Sequence, residues 1–208
     1  MRQQIVFSIV AIGFFSGICF AITPEQIAAI QAISWAKDTP WESKLSEEVH
    51  QLFVCRASEP NNDLSPCNYL AGHVLNDVYG INDFNTATGF LTADDMITKV
   101  LASKDIWSLI GSANLQDVLS SSQDKANARY AVIALYPSIG GKPGHVALII
   151  PGQLSASESW GLNVPNSASF FLNDPVNSYF GKRLSAAFAP EKRGDIRIFY
   201  RIGSNIRP

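Results

Sequence analysis

The segment Tyr130-Ala131-Val132-Ile133-Ala134-Leu135-Tyr136 is an unbroken apolar run closed by Pro137, and a second run, Val146-Ala147-Leu148-Ile149-Ile150, is closed by Pro151. Both are too short for a core helix, both carry β-branched side chains, and turn formers bound both. They predict two buried strands joined by the loop Ser138-Ile139-Gly140-Gly141-Lys142-Pro143-Gly144. Working outward in the same way, further strands are expected at Ser157–Leu162, Ala168–Leu172 and Ile196–Ile202.

Upstream of these runs the apolar period becomes helical. Thr23 and Gln26 form a capping box with Pro24 at the first helical position, ahead of Ile27, Ile30 and Ile33. Leu45, Val49, Leu52 and Phe53 recur at i, i+4, i+7 and i+8. A third helix is expected from Ser65-Pro66-Cys67 to Gly80. A fourth opens at Thr92 with Asp95 and runs through Met96, Val100 and Leu101, and a shorter one follows from Asn114. Helices first and strands afterwards predict an α+β fold, with N-terminal helices packed on a C-terminal antiparallel sheet. No repeat, low-complexity tract or linker divides the chain, so residues 22–208 are expected to form one domain.

Of the 208 residues, 47% are hydrophobic and 16% charged, enough apolar material for a core, which argues against a disordered, collagen-like or coiled-coil chain. Sixteen Lys+Arg stand against 18 Asp+Glu with no basic run. The counterion-release term that drives nucleic-acid binding is therefore missing, as is a polybasic membrane patch, and nucleic acid is not an expected partner. Residues 1–21 read separately. Met1-Arg2 is a short basic start, Ile5 to Phe20 is almost wholly apolar, and Ala21 is a small residue suited to cleavage. A signal peptide is expected, hence a secreted or periplasmic protein; the run is short of the ~20 residues of a spanning anchor.

The mature chain then keeps Cys55 and Cys67. Ser65 suits an N-cap and Pro66 the first helical position, which puts Cys67 in the first turn, where unpaired N–H groups and the helix dipole favour a thiolate. A lowered pKa makes a cysteine nucleophilic. Cys67, Leu70, Ala71, Val74 and Val78 share one face, directing the sulfur toward the sheet, and Gly72 suggests that another backbone approaches closely there. A structural disulfide between Cys55 and Cys67 is the rival reading in an oxidising compartment.

A nucleophilic thiol needs a base. His50 sits among Glu47, Glu48 and Gln51 on a solvated face. His73 follows Cys67 by six positions, about 240° around a helix at ~100° per residue, and does not meet the sulfur. His145 remains, at the start of a strand and in register with Ala147 and Ile149; the rival reading is a satisfied core histidine. The three histidines and two mature cysteines lack zinc spacing and the carboxylates form no calcium loop, so no metal or other cofactor is expected.

A helix-start Cys67 followed by Gly144-His145-Val146-Ala147-Leu148-Ile149-Ile150 on a strand resembles the papain-like amidases of the NlpC/P60 and CHAP families, over roughly Ser65 to Phe199. The resemblance implies a papain-like minimal fold and a cysteine hydrolase that cleaves amide bonds in peptidoglycan peptides, with Cys67 as nucleophile and His145 as general base. It also suggests a polar third residue, for which Glu158 is expected, with Ser159 and Asn166 as rivals. Backbone N–H groups of the Cys67 turn would hold the oxyanion. Trp160 and Tyr69 are expected to contact substrate; Trp107 and Asn163 are further candidates, and Asn166-Ser167-Ala168-Ser169 would line a groove or form a turn. A monomer is expected, and the candidate partners are a peptidoglycan peptide substrate and an inhibitory or immunity protein, which the sequence does not identify. Two other functions stay open: a non-catalytic secreted binding domain with a Cys55–Cys67 disulfide, and a papain-like hydrolase or acyltransferase with a non-wall substrate.

Overall fold

The structure, a computed structural model, describes residues 71–204 apart from residues 73, 88, 141–143, 172–176 and 178. The expected signal peptide, the first two expected helices, the start of the third, and Cys55, Cys67, Tyr69, His50 and His73 lie outside the described residues.

Along the chain, a helical segment that includes the wide turn Val74–Val78 leads to the short strands β1 (Asn85–Thr86) and β2 (Gly89–Phe90) and then to α1 (Ala93–Ala102). Strand β3 (Trp107–Ser112), α2 (Gln116–Asn127), β4 (Val132–Tyr136) and β5 (His145–Ile149) come next. They are followed by β6 (Ser155–Ser157), β7 (Leu162–Val164), β8 (Asn166–Ser169), β9 (Tyr179–Arg183) and β10 (Arg197–Arg201). Six strands form the central sheet in the order β3-β10-β4-β5-β8-β9, every pairing antiparallel. The fold class is α+β.

Alternation along the two central strands divides the molecule into two cores. Ile133, Leu135, Val146 and Leu148 face one side, where they pack with Ala71, Val74, Leu75 and Val78 and with Met96, Ile97 and Val100 of α1. Val132, Ala134, Ala147 and Ile149 face the other, against Val118, Leu119 and Ala126 of α2 and against Trp160 and Val164 of the β6–β7 hairpin. All five residues of β4 are buried, as the continuous apolar run requires of a strand covered on both faces.

Local chemistry explains the helix starts. The Thr92 hydroxyl accepts from the Asp95 N–H at 3.2 Å, and Asp94 and Asp95 in the first turn complement the dipole of α1. Helix α2 has no side-chain cap; its glutamines fasten it instead. Gln116 donates to the Asn163 carbonyl (3.0 Å) and accepts from the Asn163 N–H (2.9 Å). Buried Gln123 donates to the Ile150 carbonyl (3.0 Å) and accepts from the Asn166 N–H (2.8 Å), bridging β5 and β8 where they diverge.

Several expectations are corrected. Ser157–Leu162 is a hairpin and not a strand, because the Gly161 N–H returns to the Ser157 carbonyl at 2.8 Å and Glu158 and Ser159 stand in solvent. Strand β8 begins at Asn166, two residues before the expected start. The helix expected to be short, α2, has 12 residues, more than α1 with 10. Strands β3 and β9 were not anticipated. As the outermost strands of the sheet they leave Leu109, Lys182 and Arg183 exposed, so neither reads as a buried run. Gly72 meets a side chain and not a backbone: a Cβ there would collide with the Phe90 ring.

Candidate functional site

His145 opens β5 directly across from Tyr136 on β4. Gly144, just before it, is buried so tightly that an added Cβ would lie 2.9 Å from the Tyr136 carbonyl oxygen. The chain therefore enters the strand with no freedom to slide, and His145 takes the face of Ala147 and Ile149 that the alternation assigns to it.

On that face the imidazole is held from three sides. Phe171 stacks on it with ring centroids 5.0 Å apart and planes 3° from parallel, and Phe188 meets it edge-on at 5.2 Å. Nε2 lies 2.7 Å from Oγ of Ser169, a fully buried residue at the end of the neighbouring strand β8. Nδ1 has no hydrogen-bond partner among the described residues. In the tautomer in which Nε2–H donates to Ser169, Nδ1 carries its lone pair as a free base.

Burial, and after it the positive charge of Lys192, together lower the pKa of His145 from 6.5 to about 4. The ring is therefore neutral at pH 7, able to accept a proton but not already carrying one. Lys192 stands over the Tyr136 ring, its Nζ 4.6 Å from the centroid.

The other expected site residues are dispersed. Glu158 is exposed in the β6–β7 turn, and the hydrogen bond expected of it at the imidazole is made by Ser169. Ser159 shares that turn, 3.2 Å from the Ser157 hydroxyl. Asn166 is at the far end of β8, donating to the Pro151 carbonyl at 2.8 Å. Trp160 is 2% exposed inside the second core, and its Nε1 has no partner among the described residues, so it is a packing residue and not an open substrate contact. Trp107 is also buried, its Nε1 donating to Asp83 at 3.0 Å. Asn163 is exposed and tied through its backbone to Gln116.

The sequence by itself groups Ser169 with a small polar stretch and not with His145. The pattern Ser167-Ala168-Ser169 on a strand beside His145 was the available signal, because the two serines share a face and Ala168 takes the other. Ala168 packs in the first core, while Ser167 bonds the Tyr179 hydroxyl at 3.0 Å on the second side.

The described part of the expected nucleophile helix lies across the sheet from the ring. Ala71, Val74, Leu75 and Val78 are buried with Val146 and Leu148, whereas His145 is on the side of Ala147 and Ile149. Among the described residues no three His, Cys, Asp or Glu side chains are placed to hold a metal ion, and no helix is long and apolar enough to cross a membrane. Compared with protein-family models and with curated proteins, the chain matches none.

Proposed function

We propose that the chain is a secreted or periplasmic cysteine amidase or endopeptidase acting on amide bonds of peptidoglycan peptides, built as N-terminal helices on a papain-like sheet. The observation that carries this reading is His145, fixed through Nε2 by Ser169, neutral at pH 7, with Nδ1 unengaged among the described residues. An orienting group on one ring nitrogen and a lone pair on the other is the arrangement a general base needs.

In this reading the Cys67 thiol gives its proton to Nδ1 as its sulfur attacks the amide carbonyl carbon. The imidazolium returns that proton to the leaving amine as the C–N bond breaks, and water then releases the acyl group from sulfur. Ser169 does not touch substrate; it sets the tautomer and the plane of the ring. Because Ala71 and the turn Val74–Val78 pack on the opposite face, this reading requires a thiol that reaches the imidazole around the end of the sheet where β5 begins.

That same crossing favours a second reading, a non-catalytic binding domain in which Cys67 is bonded to Cys55 and His145 is a core histidine. Thiol counting on the mature, oxidised protein separates the two. One iodoacetamide-reactive thiol at Cys67, together with amine release from purified sacculi that is lost in Cys67→Ala, supports the amidase. An intact disulfide in protein that binds sacculi without cleaving them rejects it.

A further inference from the structure

The described charged side chains around the imidazole are unevenly distributed. The chain as a whole carries a net charge of −2, yet the two segments that border the His145 face, Tyr179–Arg183 and the turn Pro190–Lys192 with the arginine after it, carry Lys182, Arg183, Lys192 and Arg193 against the one carboxylate of Glu191. Three of the four are engaged or remote from the ring. Arg183 donates to the Ala156 carbonyl at 2.6 Å, Arg193 donates to the Trp160 carbonyl, and Lys182 is exposed over Tyr179, 5.8 Å from its centroid. Lys192 is different. It is half-buried over Tyr136, the residue paired with His145 across the strands, and Phe188, four residues earlier, touches the imidazole edge-on.

Lys192 has no carboxylate partner among the described residues; its neighbour Glu191 is exposed. An ammonium resting on an aromatic face uses that face for one side only and keeps N–H donors for an acceptor. From this placement we infer that Lys192 is a specificity residue that receives a carboxylate of the substrate beside the amide to be cleaved, so that acidic peptides are selected over their amidated counterparts. The inference rests on the amidase reading for its reaction but not for its binding. It also gives the cation a use: unpaired, Lys192 opposes protonation of His145, and a bound carboxylate removes that opposition at the moment the base must take a proton.

The test uses tetrapeptides from digested sacculi, offered with carboxylates free or converted to primary amides, and titrated into full-length Cys67→Ala protein while the ring signals of His145 are followed by NMR. The free acid is expected to bind about tenfold more tightly than the amide, the scale of one charge-assisted contact. Adding Lys192→Met is expected to erase the difference and Lys192→Arg to keep most of it. Equal affinity for acid and amide in Cys67→Ala, or binding of neither, overturns the assignment without reference to any lysine variant. Hydrolysis by the unsubstituted protein is scored separately. Acid preference without turnover keeps Lys192 and removes the amidase, and turnover without preference does the reverse.

Discussion

Ser169 stands 24 residues beyond His145 in the chain, yet its hydroxyl is 2.7 Å from the imidazole Nε2. The bond exists because β5 and β8 are neighbours, and the registers Leu148↔Ala168 and Ile149↔Ser167 bring the end of β8 alongside the start of β5. On the proposed amidase reading, His145→Ala is expected to lower kcat by about 10²–10⁴-fold, the range of a general base, with the fold intact by circular dichroism. Ser169→Ala should lower kcat by less, and Ser169→Thr should restore most of the loss. Nitrogen-15 shifts of the ring will show mixed tautomers in Ser169→Ala if the hydroxyl acts by orientation. Glu158→Gln should leave the kinetics unchanged; a loss equal to that of Ser169→Ala would return the third role to the glutamate.

The pKa of His145 also predicts how stability depends on pH. The folded value of about 4 lies below the ordinary 6.5. Between the two, the unfolded chain binds a proton that the folded chain does not, so stability rises with pH across that window. The contribution is fully present above pH 6.5 and lost progressively as pH falls toward 4, amounting to about 3 kcal/mol. Urea midpoints of the parent and of His145→Gln, measured from pH 7 to pH 4, should converge as the pH falls; parallel curves would contradict the buried neutral ring.

Trp160 gives a contrast between packing and binding. Its side chain fills the second core, and Trp160→Ala should cost about 3–5 kcal/mol in denaturant unfolding. Trp160→Phe, which keeps one aromatic ring and removes an Nε1–H without a partner among the described residues, should cost less than the alanine and leave KM unchanged. A raised KM in a stably folded Trp160→Phe would return this residue to the substrate.

A stability role belongs to Asp83, which accepts from Arg201 Nε at 2.8 Å, from the same guanidinium at 3.2 Å, and from Trp107 Nε1 at 3.0 Å. One carboxylate thus ties the segment after the helical turn to β10 and β3. Asp83→Ala should lower stability by roughly 1–3 kcal/mol, since it leaves a half-buried guanidinium and an indole N–H to find other partners. Thermal unfolding will show this as a lower Tm, with turnover at a permissive temperature retained.

How much of this was readable in advance follows from the range of each signal. The Val132–Tyr136 and His145–Ile149 strands were legible because a continuous apolar run is a local property, and Thr92 announced α1 through a cap that involves only residues three apart. Strands β3 and β9 were not legible, because an outer strand buries too little to print a pattern and is defined by its neighbour. Gly72 signals a close approach, but what approaches is the Phe90 ring from a different element and not the backbone that the glycine suggests.

By itself, then, the sequence determined the two central strands, the face that His145 takes and the need for α1 to begin where it does, since each depends on side-chain chemistry within a few residues. Only tertiary structure decided that Ser169 and not Glu158 meets the imidazole, that Trp160 is enclosed, and that Lys192 rests over Tyr136, the residue paired with His145. Those relationships are set by which strands are adjacent and in which register, and register is fixed by burial of the whole sheet rather than by any one segment.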